Sequence, residues 1–348
     1  MLEGINGNMK LKNRETSYKL QNREVRFEVT NHCNAHCVFC PRELHTRSQG
    51  VMNLDSYKKW VDEIYEGDYG VDFISLENYG EPFVDPHLFD RARYAKERGF
   101  FTATISTGSL LHKKKNKRCS LEQTLECIDK LRFSYYGLTK EVYEKLQRKL
   151  TFEVTTKNIH DLIEMKAKRG GITRIEMYFL LMPENEHQME DWIKKYEPLV
   201  DGISVWKPHN WSDGKKYREI DDKKKVSCGR PFNGPIQIQW NGKLTPCCYD
   251  YNNAIVLGDV SDDTIQNQVE GEKYEAFRDS HAKGEFHKYP FCDGCDQLKK
   301  REDVLVYTNI KEVEIGSVNT SYDDLIDPEE KRTEWGNKIE KEIADRNS

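Results

Sequence analysis

The sequence predicts an α/β protein: a mostly parallel sheet of repeated strand–helix units, followed by a smaller α+β segment. Two observations carry this. From residue 24 to about residue 212, short apolar stretches alternate with longer amphipathic ones. Parallel strands need helical crossovers of that kind. Beyond residue 212 the alternation stops, and a hairpin signal and grouped cysteines take over.

Taken in order, VRFEVT reads as a strand and DSYKKWVDEIYEG as an amphipathic helix. VDFISLE is a strand and PHLFDRARYAKERG a helix. FFTATIS is a strand and SLEQTLECIDK a helix. LRFSYYG is a strand, and the charged stretch through IHDLIEMKAKRG is helical. TRIEMYFLLM is a strand, EHQMEDWIKKYEPLV a helix, and DGISVW the last strand. Six such strands make either an open doubly wound sheet or a partial barrel. In both, ligands gather at the carboxyl ends of the strands. PIQIQWNGKLTPCCYD reads as a hairpin around Asn241-Gly242, residues 261–283 as helical, and PFCDGC as a tight loop. The expected divisions are an extension over 1–23, the strand–helix domain over 24–212, a small domain over 213–305 and a polar tail over 306–348.

Composition narrows the function. Of 348 residues, 37% are hydrophobic and 32% charged, so a core can form on a polar chain. A net charge of −5 offers no electrostatic case for nucleic acid. The basic run HKKKNKR, His112 to Arg118, reads as a solvated loop. No apolar run of spanning length and no signal sequence is present, so no membrane is expected and the location expected is cytoplasmic. Thiols stay reduced there. The ten cysteines fall largely into tight groups, which reads as metal ligation rather than disulfides.

Cys33, Cys37 and Cys40 follow the first strand with spacing C-x3-C-x2-C. A structural zinc site wants four protein ligands, and a disulfide would leave one thiol over. Three thiols on one loop can instead hold three corners of an iron–sulfur cube, leaving one iron open to a small molecule. With Phe39 before the last cysteine, the loop resembles the signature of the radical S-adenosylmethionine (radical SAM) enzymes. That resemblance implies a partial (β/α)6 TIM-type barrel and a 4Fe–4S cluster whose fourth iron chelates S-adenosylmethionine. It also implies a 5′-deoxyadenosyl radical that abstracts hydrogen from substrate. Gly80-Glu81-Pro82, after the second strand, resembles the family's Gly-Gly-Glu-Pro turn, with Tyr79 standing where the first glycine usually is. The resemblance implies that Glu81 accepts hydrogen bonds from the methionyl ammonium, while Gly80 allows close backbone approach. Ser106-Thr107-Gly108, after the third strand, resembles the third motif, and Ser106 is expected to contact the cofactor's ribose or carboxylate. Each motif alone also reads as an ordinary turn.

Cys228, Cys247, Cys292 and Cys295 form a second group, with Gly242 and Cys247 spaced G-x4-C. Four cysteines ending in C-x2-C suit zinc as well as iron–sulfur. The group resembles the opening of the SPASM extension of radical SAM enzymes. No cysteine follows Cys295, which matches its truncated twitch form, an α+β domain binding one auxiliary 4Fe–4S cluster. Cys119 and Cys127 belong to no motif, and Cys127 reads as a small buried residue. Cys248 is spare if Cys247 is a ligand, because neighbours on a strand point to opposite faces. It is either a small buried residue or a thiol that donates hydrogen to a substrate radical. The resemblance to twitch-bearing aminoglycoside epimerases implies the second role, whereas their close relatives oxidise the carbinol to a ketone and pass the second electron to the auxiliary cluster. In the loop SVWKPHNWSDG, Trp206, Lys207, His209, Asn210 and Trp211 either face a sugar ring or cover the core.

These readings lead to an expected radical epimerase or dehydrogenase acting on a carbinol of a sugar, cyclitol or similar polyol. An electron-donating reductase or flavodoxin is the expected partner. The alternatives are a peptide-modifying radical enzyme and a non-enzymatic metal-binding module. The short polar stretch before the first strand counts against the first alternative, and the open three-cysteine site against the second.

Overall fold

The computed structural model describes residues 23–112, 120–170, 173–212, 214–217, 225–298 and 304–310. Cys119 and most of the basic run lie outside the described residues, as do residues 1–22 and 311–348. Twelve strands are described: β1 (Glu24–Phe27), β2 (His36–Cys37), β3 (Phe73–Ser75), β4 (Phe101–Ser106), β5 (Lys130–Ser134), β6 (Gln147–Arg148), β7 (Arg174–Leu180), β8 (Gly202–Trp206), β9 (Ile236–Ile238), β10 (Lys243–Thr245), β11 (Gly258–Asp259) and β12 (Leu305–Thr308). Ten of them form one sheet in the order β11-β10-β9-β1-β3-β4-β5-β7-β8-β12. The six expected strands, β1, β3, β4, β5, β7 and β8, pair in parallel in chain order.

Period-two alternation decides which face each side chain takes. Val25, Phe27, Ile74, Leu76, Leu131, Phe133, Ile175, Met177, Ile203 and Val205 all enter the main apolar core. Around it pack α1 (Leu54–Glu66), α2 (Leu88–Glu97), α3 (Ser120–Cys127), α4 (Lys140–Leu146), α5 (Phe152–Arg169) and α6 (Met189–Tyr196). In α1, Tyr57, Trp60, Val61 and Ile64 are the buried face, and Asn53 caps the first turn by accepting from the Ser56 amide at 2.9 Å. The alternate strand residues, Glu24, Arg26, Ser75, Glu77, Lys130, Arg132 and Glu176, are also buried, on the inner face of the sheet. Phe73, Phe101 and Ala103 form an apolar floor beneath them. A parallel sheet usually buries two apolar faces, so this one has a polar lumen.

The structure differs from the sequence reading in five places. The helical stretch expected after β5 is two helices, α4 and α5, separated by β6. Lys149, at φ 66°, breaks the helical path, and β6 pairs with β2. Residues 261–283 are likewise two helices, α8 (Ile265–Glu270) and α9 (Glu272–Lys283), which meet at Gly271 with ψ 163°; α7 (Arg230–Asn233) precedes them. PFCDGC is not a plain loop, since Pro290–Asp293 form a helical turn, α10, with proline at its start. Cys247 and Cys248 are not on a strand. β10 ends at Thr245, because Pro246 cannot donate to the ladder. Finally, the tail expected from residue 306 begins as β12, which pairs antiparallel with β8. Its Thr308 hydroxyl lies 2.9 Å from that of Ser204.

The expected boundary at residue 212 is spanned by the sheet. β9 pairs in parallel with β1, setting Ile236 beside Val25, and β10 and β11 extend from it as the expected hairpin. Trp60 of α1 donates to the Val260 carbonyl at 3.0 Å, a second tie between the two segments.

Gly80 is the tightest point of this arrangement. A β-carbon there would lie 2.1 Å from the Thr30 carbonyl oxygen and 2.8 Å from that of His32, both backbone atoms that cannot swing away. Gly99, by contrast, has φ +82° and open space. Gly80→Ala is therefore expected to lower stability by about 3 kcal/mol through overpacking. Gly99→Ala should cost about 1 kcal/mol from backbone conformation. Thermal unfolding of the metal-free protein checks the ranking.

Candidate active site

The cysteine loop is fixed at both ends before any ligand is considered. Asn31 donates to the Ser48 carbonyl at 2.9 Å and accepts from the Gly50 amide at 2.8 Å. Cys37 lies on β2, held by β6, and the Cys40 amide donates to the Cys37 carbonyl at 3.2 Å. Asn34 reaches the third motif, donating to Ser109 Oγ at 2.9 Å. Burial, with the Glu81 charge next, pushes the Cys33 thiol up to about 11. Burial raises Cys37 further, with the charges of Cys40 and Cys33 adding. Thiols crowded in this way keep their protons until a metal centre displaces them. Among the described residues no three His, Cys, Asp or Glu side chains are arranged to close on a single ion. The donor set is three thiols on one short loop, and all-thiolate ligation is the chemistry of iron–sulfur centres.

Glu81 is already hydrogen-bonded within the protein. Its carboxylate is 2% exposed and accepts four hydrogen bonds. Ser106 Oγ donates at 2.7 Å and the Phe83 amide at 3.3 Å to one oxygen; the Thr107 amide at 2.8 Å and hydroxyl at 2.9 Å to the other. A carboxylate has about four acceptor positions, so all are taken. The Glu81 amide also donates to the His32 carbonyl at 2.9 Å. The second motif thus joins the cysteine loop to the third motif. Ser106 is turned toward Glu81, and its oxygen accepts from the Gly108 amide at 3.0 Å. Phe39 packs edge-on against Tyr136 at 5.0 Å, half-buried at the rim of a small apolar cluster.

Cys228, Cys247, Cys292 and Cys295, from separate places in the chain, lie within electrostatic reach of one another. Each is raised first by burial. Cys292 then feels Cys247, Cys228 and Cys295, while Cys295 feels Cys247 and Cys228. Cys248 lies close to that group as well: its charge is the first of those that raise Cys247, and Cys228 feels it too. The buried Arg230 guanidinium donates to Cys248 Sγ at 3.7 Å and to the Tyr249 hydroxyl at 3.3 Å. The Tyr79 hydroxyl donates to the Cys248 carbonyl. Burial works against the Arg26 charge; Glu24, Glu77 and Cys248 outweigh it. Cys248 thus acts on Cys247 and Cys228 and also on Arg26 of the inner face. Cys127 is buried in the core.

The tryptophan loop braces the site. Trp211 Nε1 donates to the Phe39 carbonyl at 2.8 Å, and its ring meets His209 at 4.2 Å and Tyr249 at 5.7 Å. The Asn210 amide N–H donates to Asp296 at 3.2 Å, beside Cys295. The sequence reading misses the roles of Tyr79 and Arg230. Tyr79 stands out there only as a departure from a glycine pair, and Arg230 carries no local pattern.

Comparison with known proteins agrees with this geometry. The radical SAM superfamily model matches residues 27–196, and SPASM, an iron–sulfur cluster-binding domain, matches residues 228–296. The chain belongs to the radical SAM superfamily and carries a C-terminal SPASM domain. The two domains imply a 4Fe–4S cluster, auxiliary iron–sulfur and S-adenosylmethionine as cofactors. The chain is 24% identical over 328 residues to the tungsten-containing aldehyde ferredoxin oxidoreductase cofactor-modifying protein of Pyrococcus furiosus, covering 81% of this chain and 89% of that protein. It is 21% identical to the S-adenosyl-L-methionine-dependent 2-deoxy-scyllo-inosamine dehydrogenase of Niallia circulans, covering 79% and 92%. Its fold is similar to the crystal structure of BtrN with AdoMet and 2-DOIA, with TM-score 0.54, 17% identity, and 79% and 93% covered. It is also similar to Streptococcus suis SuiB bound to precursor peptide SuiA, with TM-score 0.57, 13% identity, and 74% and 66% covered. No helix among the described residues is long and apolar enough to cross a membrane.

Removing one acceptor position from Glu81 tests the bracing role. Glu81→Gln turns an amide NH2 toward donors, and about 2 kcal/mol of stability should be lost. Ser106→Ala should cost about 1 kcal/mol. Chemical denaturation of the metal-free protein measures both.

Proposed function

We propose that the chain is a radical SAM oxidoreductase or epimerase acting on a carbinol carbon of a small polyol, held in the barrel lumen. The observation that carries this is Cys248, a fifth thiol beside the four expected ligands, held by Arg230 and Tyr79 and acting on Arg26 of the inner face. Cys33, Cys37 and Cys40 would hold the catalytic cluster; Cys228, Cys247, Cys292 and Cys295 a single auxiliary one. When bound, the cluster and S-adenosylmethionine supply the 5′-deoxyadenosyl radical that removes hydrogen from substrate. The chain's own residues decide the fate of the substrate carbon. If Cys248 gives its hydrogen atom to the opposite face of that carbon, the centre inverts. The sulfur radical left behind then takes an electron and a proton from the external reductant and solvent. If the substrate carbon loses an electron to an acceptor and its hydroxyl proton to a base, a ketone forms. Arg230 orients the thiol, and Tyr79 fixes the backbone that carries it.

The 2-deoxy-scyllo-inosamine dehydrogenase among its relatives supports a cyclitol-like substrate. The peptide-bound neighbour, at 13% identity, is similar in fold alone.

Two measurements check the reading. Iron analysis of the reconstituted protein should give about eight irons per chain, falling to about four when Cys33, Cys37 and Cys40 are all replaced by Ala. That variant should form no 5′-deoxyadenosine. In deuterated water an inverted product should carry deuterium at the reacting carbon, and Cys248→Ala should remove that product while S-adenosylmethionine is still consumed. Undiminished inversion by Cys248→Ala would exclude the thiol. Failure of every polyol to stimulate 5′-deoxyadenosine formation, with a peptide succeeding, would overturn the substrate class.

A further inference from the structure

The barrel lumen holds charged groups that the radical chemistry does not use, and they are unequally satisfied. Glu176 accepts from Arg132 Nε at 3.0 Å and Arg174 Nε at 2.7 Å. Arg26 donates to one oxygen of Glu24 at 2.9 Å. All three guanidinium groups thereby have a carboxylate partner within the protein. Glu77 is different. Its residue is 4% exposed, yet neither carboxylate oxygen accepts a hydrogen bond; the nearest charge, Arg26 Nε, is 3.6 Å away. Ser75 Oγ, both amide atoms of Gln237 and Nη1 of Arg132 also make no hydrogen bond.

These atoms lie on one surface. Arg26, Ser75 and Gln237 are in-register neighbours across β9, β1 and β3. Glu77 is two residues beyond Ser75, on the same face, and Arg132 pairs with Glu176 across β5 and β7. Buried polar groups in proteins are ordinarily bonded, and leaving one unbonded is costly. Several such groups facing one lumen mark the place of a polar ligand. The Glu77 carboxylate, ion-paired with Arg26 at 3.6 Å but accepting no hydrogen bond, has room for N–H donors, whereas a hydroxyl, an amide and one guanidinium N–H suit hydroxyl groups. An anion would compete with Glu24 and Glu176 for the guanidinium groups.

We propose that Glu77 binds the ammonium group of an amino-substituted polyol, with Ser75, Gln237 and Arg132 taking its hydroxyls. This rests on the polyol reading and names the substrate class for the same lumen, which Cys248 adjoins.

The test uses the reconstituted full-length protein with S-adenosylmethionine. Two probes are compared: 2-deoxy-scyllo-inosamine and its counterpart with hydroxyl in place of amine. Calorimetry gives Kd, and 5′-deoxyadenosine release gives KM and kcat. The amine should bind about tenfold or more tightly than the hydroxyl compound. Glu77→Gln should erase that difference by weakening the amine alone, with S-adenosylmethionine affinity and the iron–sulfur absorption spectrum unchanged. Glu77→Asp, which keeps the charge, should restore part of it. Equal affinity of the two probes, or equal loss for both in Glu77→Gln, overturns the ammonium site while leaving the polyol reading standing. If neither probe nor any other polyol binds or is turned over, the polyol reading falls and the ammonium site with it.

Discussion

The candidate site depends on one buried carboxylate. Glu81 takes two donors from the third motif's Ser106 and Thr107 side chains, one from the Thr107 amide and one from its own turn. Its backbone amide is spent on the loop before Cys33. Three loops, each at the end of a different strand, are thereby fixed to one another. A buried charge is tolerated when hydrogen bonds replace its hydration, and here those bonds are also what sets the loops' spacing. Gly80 answers to the same constraint. The amide of residue 81 can reach His32 only if residue 80 passes within contact distance of the Thr30 carbonyl, where no side chain fits.

The barrel lumen obeys a second logic. The strands alternate apolar and polar residues, and on all but β4, which sets Thr102 and Thr104 on the helix side, the apolar set covers the outer face beneath the helices. The polar set then has to turn inward, where burial penalises every charge. Arg132, Arg174 and Glu176 meet that penalty by pairing, and Arg26 by pairing with Glu24. A lumen filled by leucine and valine would cost less. The charged one makes sense where a polar molecule enters, and Glu77 is a carboxylate there that accepts no hydrogen bond within the protein.

Much of this is legible in the sequence for physical reasons. Strands such as VRFEVT and LRFSYYG show period two because one face meets the helices. The cysteine loop and the Gly80-Glu81-Pro82 turn are legible because the residues that act together are adjacent in the chain. The same alternation that places Val25 and Phe27 outward already places Glu24 and Arg26 inward, but which lumen groups pair depends on register across strands. That information is not local. The end of β10 is misread for a different reason: Pro246 sits inside KLTPCC and stops the ladder before the two cysteines, which lie in a turn rather than on a strand. β12 escapes notice because four apolar-leaning residues, LVYT, stand isolated in a charged stretch. Only the exposed edge of β8 makes them a strand.

Tyr79 shows how a local departure from a pattern can carry a long-range function. A glycine at that position would leave space between the second motif and the small domain. The tyrosine fills it. Its ring meets His45 at 4.9 Å and Trp211 at 5.9 Å, with the Arg47 guanidinium 5.3 Å from its centre. Its hydroxyl ends on the Cys248 carbonyl. Trp211 in turn donates to the Phe39 carbonyl, one residue before Cys40. The chain from Cys40 through Trp211 and Tyr79 to Cys248 is thus packed aromatic rings with a hydrogen bond at each end. Rings of this kind lose little side-chain freedom on burial compared with long flexible residues. A thiol that must meet one face of a substrate carbon needs its backbone held from a rigid support. Here that support is the same loop that presents the catalytic cysteines, so the two chemical ends of the site are referenced to one frame.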